Sequence, residues 1–167
     1  MEIEKLSAHD REIPHSHLIQ GLSPVIFVII WILDSDVLFL SVYLNNIIPY
    51  LVRLALFLFS LIFALILIFL SHRTLFNKNG PKDTLITGGI LKYVRNPLYL
   101  GVLLIYVAFI FLSISLISIA LFIIIFLIYN RMVNYEEKVL EKLFGEAYLK
   151  YKKRVSKWIP NPFKKSD

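Results

Sequence analysis

Five consecutive residues, Arg95-Asn96-Pro97-Leu98-Tyr99, combine side chains that could bind a polar ligand at the start of a helix. Asn is favoured as an N-cap and Pro at the first helical position, so a helix is predicted to begin at Pro97. The free amide groups of a helix N-terminus attract an anion, and Tyr99 adds an aromatic face and a hydroxyl. The alternative is structural: a helix cap, an arginine at the membrane interface and a tyrosine of the aromatic belt.

A pair of carboxylates, Glu136 and Glu137, lies further along the chain. Adjacent residues on a helix point about 100° apart, so the two carboxylates cannot face one ligand equally. One of them could bind an ammonium group while the other caps the helix or faces solvent. The alternative is an acidic first turn that stabilises the helix dipole.

The C-terminal region is predicted to form a helix from Met132 to Arg154. Leu140, Leu143 and Phe144 recur at helical spacing, and Gly145 is expected to bend this helix. Basic residues lie next to aromatic ones, a combination that suits the headgroup layer of a membrane. They are Lys150, Lys152, Lys153, Arg154 and Lys157, beside Tyr148, Tyr151 and Trp158.

The amino-acid composition indicates whether these elements lie in water or in a membrane. The 167 residues are 57% hydrophobic and 18% charged, whereas soluble domains are close to half apolar with about a quarter charged. A chain this short cannot bury the excess in its own core, so one integral membrane domain, residues 1–167, is predicted. The net charge of +6 then favours an anionic membrane surface over nucleic acid as partner.

Metal and thiol chemistry are not expected. The chain contains no cysteine, which excludes disulfides, thiolate zinc sites and cysteine nucleophiles. The four histidines show no ligand spacing, so no metal site is predicted. They are His9, His15, His17 and His72.

Two apolar stretches precede the motifs, Leu22–Leu33 and Leu54–Leu70. The first is short, and Asp34 and Asp36 close it. Because two carboxylates near the bilayer centre would cost a few kcal/mol each, a short span with both acids at its outer boundary is predicted. No signal peptide is predicted, since residues 1–24 are net acidic and lack a positive leader.

The third apolar stretch, Leu98–Tyr129, would be about 48 Å long as a single helix, which exceeds the roughly 30 Å of hydrocarbon. Both of its flanks are basic. Residues 71–97 hold five Lys and Arg against one acid, and residues 131–167 hold ten against five. Basic flanks favour the cytoplasm, so the stretch is predicted to be a tight hairpin that turns near Ser113–Ser118.

The predicted fold class is therefore all-α, a polytopic bundle of about four transmembrane helices with a cytosolic amphipathic helix at the C-terminal end. Both termini are predicted to be cytoplasmic. The domain divides into N-terminal spans (1–70), a cytosolic connector (71–97), the helical hairpin (98–130) and a cytosolic tail (131–167).

The order of the motifs is more specific than any one of them. It runs from Leu85-Ile86-Thr87-Gly88-Gly89 through Arg95-Asn96-Pro97-x-Tyr99-x-Gly101 and an apolar hairpin to Glu136-Glu137 and Phe144-Gly145-x-x-Tyr148-x-x-Tyr151. This order resembles the isoprenylcysteine carboxyl methyltransferase family, within the wider group that includes phospholipid N-methyltransferases. The resemblance covers residues 84–160, nearly half of the chain. It implies a transferase that uses S-adenosylmethionine, bound on the cytosolic side.

The resemblance also implies which residues hold the cofactor. Leu85 and Ile86 would line its pocket, and Leu91 stands where relatives often have a tyrosine near the cofactor. Glu136, with Glu137, would meet the methionine moiety. The core binding motif would consist of Arg95, Asn96, Pro97, Leu98 and Tyr99, with Arg95, Tyr99 and Glu136 as the positioning candidates.

The chain departs from the family pattern at two positions. Eukaryotic enzymes have His where this chain has Asn96, whose amide can bind a carboxylate but cannot titrate. Prenylcysteine enzymes place an arginine four residues before the first Glu, and that position is Met132 here. Its neighbour Arg131 is then the substrate candidate, and the departure argues against prenylcysteine as the acceptor.

Methyl transfer from a sulfonium is a direct displacement that needs alignment and exclusion of water more than acid–base chemistry. A lipophilic acceptor and membrane lipids are the expected partners. One alternative is an NADPH-dependent membrane reductase of the sterol-reductase-like group, which usually lacks a Glu-Glu pair followed by Phe-Gly. The other is a non-catalytic protein that holds anionic lipid with its basic tail.

Overall fold

The computed structural model describes residues 16–75 and 84–160. Within these ranges the chain is helical and contains no strand, apart from one isolated parallel bridge between Val94 and Ser156. The all-α bundle predicted from the sequence is confirmed. Its helices are α1 (Ser16–Ile32), α2 (Tyr50–Leu75), α3 (Pro97–Leu112) and α4 (Leu116–Arg154).

Three of these helices are long and apolar enough to cross a membrane: α1 with its continuation to Leu38, then α2, then α4. The fourth, α3, is equally apolar but has 16 residues, about 24 Å of helix. It lies against α2 along its length and joins α4 through a turn at Ser113–Ser115. This turn falls where the hairpin was predicted to reverse.

The contact between α2 and α3 depends on Gly101. A Cβ atom at this position would lie 2.7 Å from Cγ1 of Ile68 and 3.0 Å from the carbonyl oxygen of Ala64. The two backbones therefore approach more closely than any side chain would allow, as small residues permit in membrane helix pairs. This explains the glycine at the end of the Arg95–Gly101 motif.

The first helix extends further than the sequence suggests. A π-helix, Leu33–Leu38, continues α1 through both aspartates, whereas the first span was predicted to end at Leu33. The extension is possible because Asp34 is buried by protein, with 2% of its surface exposed. Its carboxylate accepts hydrogen bonds from the backbone N–H of Ser41 at 3.0 Å and from the hydroxyls of Ser41 and Ser115. Asp36 is exposed.

The last helix, α4, continues from the bundle into the tail. It has no break between residues 130 and 131, where the hairpin and the tail were predicted to divide. It kinks at Gly145, whose backbone angles are φ 50° and ψ −125°. Residues that carry a side chain rarely adopt these backbone angles, so this position requires glycine. The predicted bend is therefore present, and the helix ends at Arg154 as expected.

The main core lies between α1, α3 and α4. Its buried members come from all three helices and include several large aromatic side chains, while the outward faces of α1 and α2 are apolar and exposed. The start of α1, the connector and the end of α4 share one end of the bundle. The core residues are Phe27, Leu103, Tyr106, Ile110, Ile125 and Tyr129.

Replacement of Gly101 by alanine should weaken the α2–α3 contact. The added methyl group meets backbone atoms that cannot move aside, and overpacking of this kind costs about 1–3 kcal/mol. Thermal unfolding of the detergent-solubilised protein should therefore show a lower midpoint for Gly101→Ala. The matched control is Gly21→Ala in α1, where no atom lies within 4 Å of the added Cβ. Equal midpoints for the two variants would contradict the packing argument.

Candidate functional site

The start of α3 forms one wall of the candidate site. Pro97 occupies the first helical turn and Asn96 the N-cap position, as predicted. The Asn96 side chain makes no capping hydrogen bond, however. Its amide nitrogen instead donates to Oε1 of Glu137 at 3.1 Å and to the carbonyl oxygen of Lys157 at 3.4 Å. The first-turn amide groups of α3 are thus not capped by this side chain.

A buried ion pair joins Arg95 to Glu137. The guanidinium donates from Nε to Oε1 at 3.1 Å and from Nη2 to Oε2 at 3.2 Å, a two-point geometry that only arginine offers. Both side chains are nearly inaccessible, with 8% and 5% of their surfaces exposed. Nη1 donates to the carbonyl oxygens of Lys152 and Val155, at 2.9 and 2.5 Å. The Arg95 side chain therefore connects the start of α3 to the middle of α4 at Glu137 and to the C-terminal end of α4 at Lys152 and Val155.

Glu136 points to a different partner. The Tyr99 hydroxyl donates to its carboxylate, and both residues are half-buried. The Tyr99 ring meets the Tyr129 ring edge-on, with centroids 5.8 Å apart. The two adjacent carboxylates therefore have separate environments, as the 100° rotation between them requires. Glu137 faces a cation, whereas Tyr99 brings no charge to Glu136.

The tail returns across the connector. The backbone N–H of Arg95 donates to the carbonyl oxygen of Ser156 at 2.9 Å, and the Tyr151 hydroxyl donates to the carbonyl oxygen of Leu91 at 2.8 Å. Tyr148 and Tyr151 are buried against Leu85 of the connector and against Leu140 and Phe144 of the tail. The kink at Gly145 allows this return, since it turns the last part of α4 toward the connector.

Lys157 fixes the end of the tail to α4. Its ammonium group donates to Oδ1 of Asn130 at 2.5 Å and to Oδ1 of Asn134 at 2.7 Å, and it lies 5.3 Å from the centroid of the Trp158 ring. Loss of water around the ammonium is the main cause that lowers the pKa of Lys157, and Arg95 and Lys152 act in the same direction while Glu137 opposes them. The site therefore holds several charges in a compact, partly dry region.

An open cavity of about 930 Å³ lies on the other side of the connector, against the end of α2. Leu85 and Ile86 line it, together with the cationic residues Arg73 and Lys92. Gly89, at φ 55°, brings the connector close to Thr74, and a Cβ at Gly89 would lie 2.6 Å from the Thr74 hydroxyl. The cavity falls within the size range of small-molecule sites.

The structure therefore separates the predicted site residues into groups. Arg95, Asn96, Tyr99, Glu136 and Glu137 form one polar network, whereas Leu85 and Ile86 line the cavity. Leu91 is buried, with 5% of its surface exposed, and its carbonyl group anchors the tail. Pro97 is buried and Leu98 half-buried at the start of α3, and Arg131 is exposed on α4 beside the buried Met132.

Sequence reasoning missed Gln20 and Ser23 of α1. The amide nitrogen of Gln20 donates to the Tyr99 hydroxyl at 3.4 Å, and the Ser23 hydroxyl lies within hydrogen-bond distance of the hydroxyls of Tyr106 and Tyr129. The available signal was the presence of two polar side chains, three positions apart, on an apolar helix. Sequence reasoning named Lys157 only as part of the basic cluster, because the contacts of Lys157 with Asn130 and Asn134 depend on the fold of the tail.

Among the side chains of residues 18–75 and 84–160, no group of three or more His, Cys, Asp or Glu lies close enough to hold a metal ion. The side chains of His9, His15 and His17 lie outside the described ones.

Comparison with known proteins connects this geometry to a family. A family model described as phospholipid methyltransferase matches residues 48–147, which is more than half of the chain. The chain belongs to the phospholipid methyltransferase family. No curated protein and no solved structure matches it. The match includes α2, the connector, α3 and most of α4, and therefore all five residues of the polar network, but not α1.

Family membership and the apolar helices together make the chain an integral membrane methyltransferase. The resemblance found from the motif order is thereby confirmed. The family also favours methyl transfer over the reductase and the lipid-holding scaffold.

Replacement of Glu137 by glutamine should destabilise the folded protein. The isosteric amide leaves the Arg95 charge buried without its partner, and loss of one member of a buried pair costs about 3–5 kcal/mol. Thermal unfolding and the rate of tryptic cleavage in the tail would measure the effect. The control is Glu146→Gln, an exposed glutamate of the same helix. Equal stability and equal tail protection in both variants would show that the ion pair does not hold the tail.

Proposed function

We propose that the protein transfers a methyl group from S-adenosylmethionine to a lipophilic acceptor that reaches the site from the membrane. The observation that carries this proposal is the polar network at one end of the bundle, where Tyr99 and Glu136 lie beside the uncapped first turn of α3. The family supplies the class of reaction, methyl transfer in a membrane. The network supplies groups that suit the charged end of the methyl donor.

The methionine end of the donor carries an ammonium group and a carboxylate. We assign the ammonium group to Glu136, because this carboxylate is half-buried beside the Tyr99 hydroxyl, whereas Glu137 is buried against the Arg95 guanidinium. The carboxylate suits the amide groups at the start of α3, because a helix N-terminus favours an anion. Arg95 acts indirectly in this scheme, since it holds Glu137 and the tail in place.

The nucleoside end of the donor is assigned to the connector. Leu85 and Ile86 line a cavity whose volume, about 930 Å³, is ample for a group of this size. Leu91 is assigned a packing role, because its side chain is buried and its carbonyl group holds Tyr151. Arg131 remains the substrate candidate from the sequence, on an exposed position of α4.

The donor, when bound, supplies an electrophilic methyl group on a sulfonium, and the acceptor displaces it directly. The chain then has to align two molecules and exclude water, which are the main sources of rate in such a reaction. A carboxylate acceptor needs no general base. An ammonium acceptor must first lose a proton, and Glu136 is the more accessible of the two carboxylates of the network.

We place the site on the cytoplasmic side. The connector and the tail carry most of the basic residues, and basic segments stay in the cytoplasm. The start of α1 shares this end of the bundle, since Gln20 contacts Tyr99. The water-soluble donor would therefore enter from the cytoplasm and the acceptor sideways from the bilayer.

Isothermal titration of the full-length protein in detergent with S-adenosylhomocysteine tests the proposal. The wild-type protein is expected to bind, and Glu136→Gln should weaken binding at least tenfold, because a charged hydrogen bond is worth about 1.5–3 kcal/mol. Tyr99→Phe should weaken it by less. The control Glu146→Gln should bind like the wild type, and NADPH should give no binding heat.

One result would overturn the proposal, and another would overturn only the assignment of Glu136. Absence of S-adenosylhomocysteine binding by the folded wild-type protein would remove the cofactor assignment, and binding of NADPH instead would favour the reductase. If the wild-type and Glu136→Gln proteins bound S-adenosylhomocysteine with equal affinity, the cofactor assignment would stand, but the assignment of its ammonium group to Glu136 would be wrong.

A further inference from the structure

The first helix presents two polar side chains to the site from outside the region that the family model matches. Residues 48–147 match the model, whereas α1 covers Ser16–Ile32. The face of α1 that points into the bundle carries Gln20, Ser23, Phe27 and Trp31, all of which contact α3 or α4. Phe27 is buried and the other three are half-buried. Helix packing alone would be served by apolar residues at all four positions.

Gln20 holds the oxygen of the Tyr99 hydroxyl from the side of α1. A phenol hydroxyl carries one proton and can accept as well as donate, whereas a carboxylate can only accept. The Tyr99 hydroxyl therefore donates its proton to Glu136, and its oxygen accepts from the Gln20 amide nitrogen at 3.4 Å. The contact with Gln20 restricts the position of the hydroxyl beside Glu136.

Ser23 supports the same tyrosine from the next turn of α1. Its hydroxyl lies 3.1 Å from that of Tyr106 and 3.2 Å from that of Tyr129. The Tyr129 ring in turn contacts the Tyr99 ring edge-on. Gln20 and Ser23, one helical turn apart on α1, thus contact the hydroxyls of three tyrosines of α3 and α4. These are Tyr99, Tyr106 and Tyr129.

The free-energy cost of burying these polar side chains in an apolar bundle indicates that they have a function. A polar group in an apolar, membrane-embedded bundle is unfavourable unless it is paired, and intramembrane hydrogen bonds average less than 1 kcal/mol. Exposed residues on the opposite face of α1, such as Leu22, Val25 and Ile29, are all apolar. The polar residues of this part of α1 are therefore confined to the side that faces Tyr99.

We propose that Gln20 is a positioning residue of the methyl-donor site, which holds the Tyr99 hydroxyl toward Glu136. The inference rests on the proposed function and extends it to α1, a helix beyond the family match. Ser23 is the supporting residue, acting through Tyr129. The donor site is then built from three helices, with α3 and α4 supplying the groups that meet the donor and α1 holding one of them.

A double-mutant cycle on S-adenosylhomocysteine affinity tests the inference with full-length protein in detergent. The variants are Gln20→Met, Tyr99→Phe and the combination of both, since methionine keeps the size of glutamine but lacks its donor. Gln20→Met alone should weaken binding about three- to tenfold, the equivalent of one hydrogen bond. In the Tyr99→Phe background, Gln20→Met should have no further effect, because its partner is absent.

Thermal unfolding of every variant separates positioning from folding, and Leu22→Met on the exposed face of α1 is the matched control. The inference on Gln20 would be overturned if Gln20→Met bound S-adenosylhomocysteine with unchanged affinity. It would also be overturned if Gln20→Met lost the same affinity in the Tyr99 and the Tyr99→Phe backgrounds. Binding by the wild-type protein would leave the proposed function standing in both cases. A wild-type protein that bound no S-adenosylhomocysteine would overturn both.

Discussion

The buried pair between Arg95 and Glu137 is the interaction on which the rest of the site depends. Removing two charges from water costs several kcal/mol each, and attraction repays this only when the remaining hydrogen-bonding groups are satisfied. Here the guanidinium also donates to the carbonyl oxygens of Lys152 and Val155, and the carboxylate accepts from Asn96. The pair is therefore stable only when α3, α4 and the tail are all in place, which makes the site and the fold of the tail inseparable.

A second buried carboxylate performs a similar task at the opposite end of the bundle. Asp34 joins the continuation of α1 to Ser41 and to the α3–α4 turn at Ser115. The hydrogen bonds come from one backbone N–H and two hydroxyls, without a cation. The Asp34 carboxylate is thus held by neutral donors, whereas Glu137 in the candidate site is paired with a guanidinium.

The sequence predicted the parts of the molecule that local chemistry determines. The start of α3 at Pro97 and the bend at Gly145 follow from the local preferences of proline and glycine. The turn near Ser113 follows from the length of the apolar stretch and its two basic flanks. Contacts between distant segments could not be read in this way. Nothing near Asn96 in the sequence shows that its amide binds Glu137 rather than capping its own helix, and the extension of α1 past Asp34 requires the serines of two other segments.

The neighbouring glutamates show why a motif of adjacent residues can serve two purposes. The helical rotation of about 100° sends Glu137 toward Arg95 and Glu136 toward Tyr99. If both carboxylates faced one cavity, their like charges would repel, and one of them would tend to hold a proton. Glu137 is engaged by an internal cation and Glu136 by a phenol hydroxyl. Loss of either carboxylate should therefore disturb the site for a different physical reason.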